Sequence, residues 1–185
     1  MACAFPKDDE IQEILELAGL SENTIRVKGE KKFVVVGNKG CGKSSFIECF
    51  LIPDRKHPEI FTPEHMRKMI VRNKQILNLV FRELPSSDSE FDVYVRSQAY
   101  PGSFVVCLCF AIDDRESFWD ILKWNDEAKK YAPYTKFFVI GCKMDNRLDN
   151  GTVSMEEGLS MSMLIQAVKY YECSSVTGIR VALAI

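Results

Sequence analysis

The chain is 185 residues long, a length that suits one globular domain, and its 46% hydrophobic and 27% charged residues can support a core. A formal charge of −2 gives no electrostatic reason to expect nucleic acid as a partner, and the sequence shows neither a membrane-crossing apolar run nor a secretory leader pattern. The seven cysteines are scattered, odd in number and without zinc or redox spacing, so reduced, mostly buried thiols in a cytosolic protein are expected.

Asp8 to Leu20 starts acidic and repeats apolar residues at Ile11, Ile14, Leu15 and Ala18, which predicts an amphipathic helix. With the polar, loop-like Ser21–Glu30 it forms an N-terminal segment, residues 1–31, ahead of a domain at 32–185. Lys32-Phe33-Val34-Val35-Val36 reads as a buried strand. It leads into Gly37-Asn38-Lys39-Gly40-Cys41-Gly42-Lys43-Ser44, which fits G-x-x-x-x-G-K-[ST] in full, and Ser45–Phe50 follows with helical apolar spacing. Strand, glycine turn and helix is the context of a phosphate-binding loop. Glycines let successive N–H groups curl around one anion, and the helix N-terminus adds its dipole. Lys43 is placed to bridge the β- and γ-phosphates, and Ser44 to offer a hydroxyl to Mg²⁺. The plain alternative, an ordinary glycine turn, is disfavoured by the flanking elements.

Pro53–Pro58 is a two-proline loop, and Met66–Val71 and Gln75–Phe81 read as strands around a turn at Arg72-Asn73-Lys74. Pro85–Glu90 is a polar, flexible loop. Val105–Ile112 has the continuous apolar character of a central parallel strand. A helix over Glu116–Tyr131, a strand over Lys136–Gly141 and a helix over Glu156–Lys169 follow. Tyr170–Ser174 is expected as a last short strand, and Gly178–Ile185 as the start of a helix. This alternation predicts an α/β fold with a mostly parallel central sheet and helices on both faces. Ligands in such sheets sit at the carboxyl ends of the strands. The phosphate loop, Asp113 and Cys142–Asp145 all fall at that rim.

Taken together these motifs resemble a Ras-superfamily small GTPase, a P-loop NTPase small G domain of an atypical, Rho-like or divergent Rab-like kind. Cys142-Lys143-Met144-Asp145 resembles the guanine-reading N-K-x-D, and Glu172-Cys173-Ser174-Ser175 resembles E-C-S-A. Cys109–Asp113, Glu156-Glu157-Gly158 and Pro58–Phe61 also look Rho-like. The resemblance implies a nucleotide site made of Lys39, Gly40, Cys41, Gly42, Lys43, Ser44, Ser45, Cys142, Lys143, Asp145, Ser174 and Ser175. Asp145 would accept hydrogen bonds from guanine N1 and N2, Lys143 would lie along the base, and Cys142 replaces an asparagine that ties the loops together. For Asp145 alone, a solvated loop aspartate is the alternative.

The resemblance fails at the catalytic parts. Lys39 stands where the family has a glycine that leaves room for water and an arginine finger, unless its side chain is solvated and turned away. By register of the preceding strand, D-T-A-G-Q falls on Arg82-Glu83-Leu84-Pro85-Ser86. That reading puts Arg82 beside the metal, removes an N–H at Pro85 and leaves Ser86 where the water-orienting glutamine belongs. Glu83, Asp88 or Glu90 is an alternative carboxylate. In the first switch Thr62 or Glu64 takes the metal position beside Ser44, depending on how the preceding loop is counted, and His57 flanks the base or is solvated. The resemblance therefore implies GTP or GDP as ligand, Mg²⁺ weakly bound or absent, slow or negligible hydrolysis, and effector or regulator proteins in signalling or vesicle trafficking. The alternative is a nucleotide-free pseudo-GTPase acting as an interaction module. No prenylation cysteine stands at the C-terminus, so these residues do not encode membrane attachment; the location is read as cytoplasmic, with membrane association through a missing C-terminal part as the alternative. The short C-terminal segment leaves two alternatives, a fragment or a domain that continues into another module such as a tandem G domain.

Overall fold

The computed structural model describes residues 26–51, 67–72, 75–147, 151–177 and 180–183; for 26–29, 49, 68–72, 75–77 and 180–183 it describes the backbone alone. The expected helix over Asp8–Leu20 and the first-switch residues His57, Thr62 and Glu64 lie outside the described residues.

One seven-stranded sheet runs in the order β2-β3-β1-β4-β5-β6-β7. Its strands are β1 (Arg26–Gly37), β2 (Arg67–Arg72), β3 (Gln75–Glu83), β4 (Val105–Ala111), β5 (Lys136–Cys142), β6 (Lys169–Cys173) and β7 (Arg180–Leu183). β3, β1, β4, β5 and β6 pair in parallel, and β2 and β7 close the two edges antiparallel. The chain leaves β1 to one side for β3 and returns to its other side for β4, which opens a crevice at the carboxyl end of β1.

The helices are α1 (Lys43–Leu51), α2 (Glu90–Ala99), α3 (Arg115–Trp119), α4 (Ile121–Tyr131) and α5 (Met155–Leu164). Strand alternation divides the core. Val34, Val36, Leu108, Phe110 and Ile112 turn towards α2–α5, where they meet Trp124, Ile121 and Tyr170. Val35, Cys107, Cys109 and Ile140 turn the other way, towards Phe46 and Ile47 of α1. In α4 the buried positions Ile121, Trp124, Asn125 and Ala128 recur at helical spacing, so one stripe faces the sheet.

Several expectations are corrected. β1 begins at Arg26, inside the stretch expected as loop. α2 was expected as no element at all, although Ser89 caps it by accepting from Asp92 N–H and Glu90 and Asp92 supply first-turn charge. The single helix expected over Glu116–Tyr131 is interrupted at Asp120. α5 stops at Leu164 because Gln166 takes a left-handed conformation at φ 60° and Ala167 N–H closes back on Ser162 O at 2.8 Å. No glycine marks that stop in the sequence. The C-terminal segment forms β7 rather than a helix, with Tyr170 paired to Leu183 and Cys173 to Arg180; the backbone groups on the open edge of β6 supply its partners.

Candidate functional site

The phosphate loop begins where β1 ends, and its shape is dictated by two glycines. Gly37 has φ 147°, and a Cβ there would lie 2.2 Å from Cys109 O of the neighbouring strand. Gly42 has φ 106°, and a Cβ there would lie 2.9 Å from Cys142 Cβ. A side chain at either position is opposed by backbone strain and by contact. Asn38 braces the turn from outside: its Nδ2 donates to Asp120 at 2.6 Å, and Trp124 Nε1 donates to its Oδ1 at 2.9 Å. The one-residue interruption between α3 and α4 thus coincides with an anchor for the loop.

Lys43 is only 5% exposed, and its ammonium is fully engaged. Nζ donates to Gly37 O at 3.0 Å, to Asn38 O at 2.9 Å and to Ser86 Oγ at 2.7 Å, with the Glu83 carboxylate 4.0 Å away. Ser86 Oγ in turn donates to Gly37 O at 2.9 Å.

A cleft of about 420 Å³ runs from this loop across the sheet rim, within the range of about 300–1,000 Å³ for small-molecule sites. Gly42, Lys43 and Ser44 form its phosphate-loop end; Lys143, Asp145 and Ser175 form the other. Gly40, Ser45 and Cys142 also lie on its wall, so nine of the twelve residues expected to bind nucleotide meet there. Lys39, Cys41 and Ser174 do not. Lys39 is exposed outside the cleft, Cys41 is buried beneath the loop with its thiol on Cys109 O, and Ser174 is buried and accepts from Thr177 N–H to hold a turn.

At the far end Lys143 adopts the left-handed conformation at φ 58°, a strained state for a residue with a side chain. Its Nζ lies 3.6 Å from Asp113, whose other oxygen accepts from Asn146 at 2.7 Å. Asp145 is exposed on the cleft, and no described residue gives its carboxylate a hydrogen bond or ion pair. Behind it, Glu172 is fully buried and paired with both guanidinium nitrogens of Arg147 at 2.8 and 2.6 Å, while Tyr170 donates to it at 2.6 Å. The bond to Glu172 holds the Arg147 pKa above its ordinary value; burial first, then Glu172, raises that of Tyr170.

Cys142 and Cys173 line the cleft, and Cys41, Cys107 and Cys109 are buried with them on one sheet face. A hydrogen bond with Cys109 holds the Cys142 thiol well above its ordinary pKa, and burial pushes Cys109 up to about 12. Among the described residues no metal-holding group forms.

One correction concerns the second switch. Arg82 does not stand beside the metal position: strand alternation leaves it exposed on the other side and brings Glu83 onto the cleft. Ser86, at the position of the glutamine, is hydrogen-bonded to Lys43, a contact the sequence did not suggest. Glu83 was one of three alternative carboxylates and is the one that lines the cleft, whereas Asn38, Asn146 and Cys173 were not expected as site residues. Asn38 and Cys173 lie within the motifs themselves, which was the available signal; Asn146 adjoins one of them.

The Ras family model matches residues 32–185. The chain is 32% identical over 160 residues to the human and mouse Rho-related GTP-binding protein RhoE, covering 78% of this chain and 64% of those proteins. It therefore spans about two thirds of the length of those relatives. It is 31% identical over 163 residues to the Rho-related protein racI of Dictyostelium discoideum, with 78% of each chain covered.

Proposed function

This chain belongs to the Ras family, and on that premise we propose that it binds a guanine nucleotide and hydrolyses GTP slowly or not at all. The carrying observation is one continuous cleft that joins Lys43 and Gly42 to the carboxylate of Asp145, which is unpaired among the described residues. The loop geometry suits phosphates, because left-handed glycines turn backbone N–H groups inward and Lys43 adds charge. Asp145 accepts from the two N–H donors on the edge of guanine. Adenine offers no such pair and leaves the carboxylate without partners as water is excluded. Lys143, fixed by Asp113, lies beside the base. Cys142 supplies a weak donor where an amide would tie the loops, which lowers affinity.

The donor set also accommodates Mg²⁺. Ser44 would supply a hydroxyl, Glu83 is the carboxylate nearest the phosphate end among the described residues, and the ion would neutralise charge on the phosphates. Neither residue orients water. Ser86 is tied to the loop and Pro85 has no N–H, so hydrolysis lacks water positioning and a γ-phosphate donor. Effector or regulator proteins and a cytoplasmic location belong to the same reading.

One observation favours the second reading, a nucleotide-free interaction module: every Lys43 donor already has a partner within the protein. Nucleotide-free protein incubated with radiolabelled GTP and Mg²⁺, then followed in a single turnover, separates the two. Bound nucleotide that stays unconverted over hours is expected, with no recovery of hydrolysis in Lys39→Gly. Rapid conversion contradicts slow hydrolysis; absence of bound nucleotide supports the interaction module.

A further inference from the structure

The loop between β3 and α2 is held more firmly than a switch requires, and one buried residue holds it. Arg96 is fully buried on α2. Its guanidinium donates to Pro85 O at 3.2 Å and to Ser87 O, the carbonyls on either side of Ser86. The remaining donors grip Glu127 of α4 at 2.7 and 2.8 Å, and Tyr100 donates to the same carboxylate at 2.9 Å. Asp88 stands 3.8 Å from the guanidinium, and the ring of Trp124 lies 5.1 Å beneath it. A bidentate arginine–carboxylate pair is directional as well as strong, so the two carbonyls it holds are fixed in place. Ser86, between them, is thereby aimed into the phosphate loop.

There its hydroxyl takes the third hydrogen of Lys43 and donates its own to Gly37 O. A lysine ammonium has three donors, and two here serve the carbonyls of Gly37 and Asn38, which shape the loop. The third is the one a terminal phosphate needs. Ser86 already has it.

We infer that Ser86, positioned by Arg96 and Glu127, competes with the terminal phosphate for Lys43 and makes the cleft selective for a nucleoside diphosphate over the triphosphate. This rests on the guanine-nucleotide reading and adds to it which phosphate chain the site accepts. Diphosphate binding leans on the loop N–H groups, which Ser86 leaves open. A triphosphate has to displace the hydroxyl, and Arg96 keeps that hydroxyl from moving aside.

Calorimetric titration of the wild-type chain and Ser86→Ala with GDP and with an imido-bridged, non-hydrolysable GTP analogue tests it. The wild type should prefer GDP, and Ser86→Ala should narrow that preference about tenfold or more, the scale of one hydrogen bond to a charged group. Glu127→Gln keeps the size of the side chain while loosening the clamp, and should move the ratio in the same direction by less. A thermal melt of each variant confirms folding. A merely structural Ser86 would change both affinities together. Equal wild-type affinities, an unchanged ratio in Ser86→Ala, or weaker binding of the GTP analogue by that variant overturns the inference and leaves guanine binding standing. No binding of either nucleotide by wild type and variants overturns both.

Discussion

At the scale of single residues, the site depends on which way one side chain turns. Glu83 and Arg82 are neighbours at the end of β3, paired with Val35 and Val34 of β1. Successive strand residues face opposite sides, so the carboxylate enters the cleft and the cation leaves it. Charge reversal at Glu83 (Glu83→Lys) should therefore repel Lys43 and weaken nucleotide binding, whereas Arg82→Glu should change it little; titrating both variants checks the assignment. Gly42 is a second determinant. Alanine there must hold φ 106° and place its Cβ 2.9 Å from Cys142 Cβ. Such strain costs about 1–3 kcal/mol, so Gly42→Ala should melt lower and bind nucleotide more weakly. The phosphate-loop glycines, Lys43 and Asp145 were legible in the sequence because their spacing carries their chemistry. Ser86 and Glu83 were only half legible: a one-residue choice of register at a strand end sets which side chain faces the ligand, and spacing does not contain that choice.

At the scale of elements, α2 and α4 carry out work that the motifs do not mention. α4 sends Trp124 and its preceding Asp120 to Asn38, and sends Glu127 to Arg96 of α2, so it braces both the phosphate loop and the loop before α2. Trp124→Phe keeps a large ring but removes the donor to Asn38 Oδ1. The loss of one such bond at a half-buried acceptor costs about 1–3 kcal/mol; a lower melting temperature and weaker nucleotide binding are expected together. β4 and β5 were readable from apolar runs alone, since buried strands need apolar residues on both faces, whereas the polar first half of β1 was not. α2 was not, because Glu90–Ala99 is mostly polar and half exposed, with Phe91 and Tyr94 facing outward. Its capping serine was the one sign of it. β7 was unreadable for another reason: four residues form a strand only because the edge of β6 is open beside them.

At the scale of the whole molecule, the sheet buries acids that ionise only at high pH. Burial pushes Cys107 and Cys109 from the ordinary 9.0 up to about 12. Burial, reinforced by Glu127 and Glu172, raises the pKa of Tyr100 and Tyr170 as well. The folded state binds these protons more tightly than the unfolded one. Their stabilising effect is fully present below pH 9 and is lost as pH rises towards the folded values. Each thiol removes up to about 1.4 kcal/mol per pH unit in that window. Urea unfolding from pH 8 to 11 should show falling stability, with a shallower fall in a Cys107→Ala/Cys109→Ala variant; an unchanged slope would assign the fall to other groups. The same layered sheet brings residues as distant in sequence as Gly42 and Asp145 onto one rim, and that juxtaposition underlies the functional reading.

The most direct test is calorimetric titration of nucleotide-free protein with GDP and ADP in parallel, with Lys43→Ala and Asp145→Ala beside the wild type. GDP should bind and ADP should not. Lys43→Ala removes the two bonds to Gly37 O and Asn38 O that shape the loop and should thereby abolish binding, and Asp145→Ala should erase the preference for guanine. Equal binding of GDP and ADP by the wild type, or GDP binding that survives both substitutions, would contradict a guanine site in this cleft.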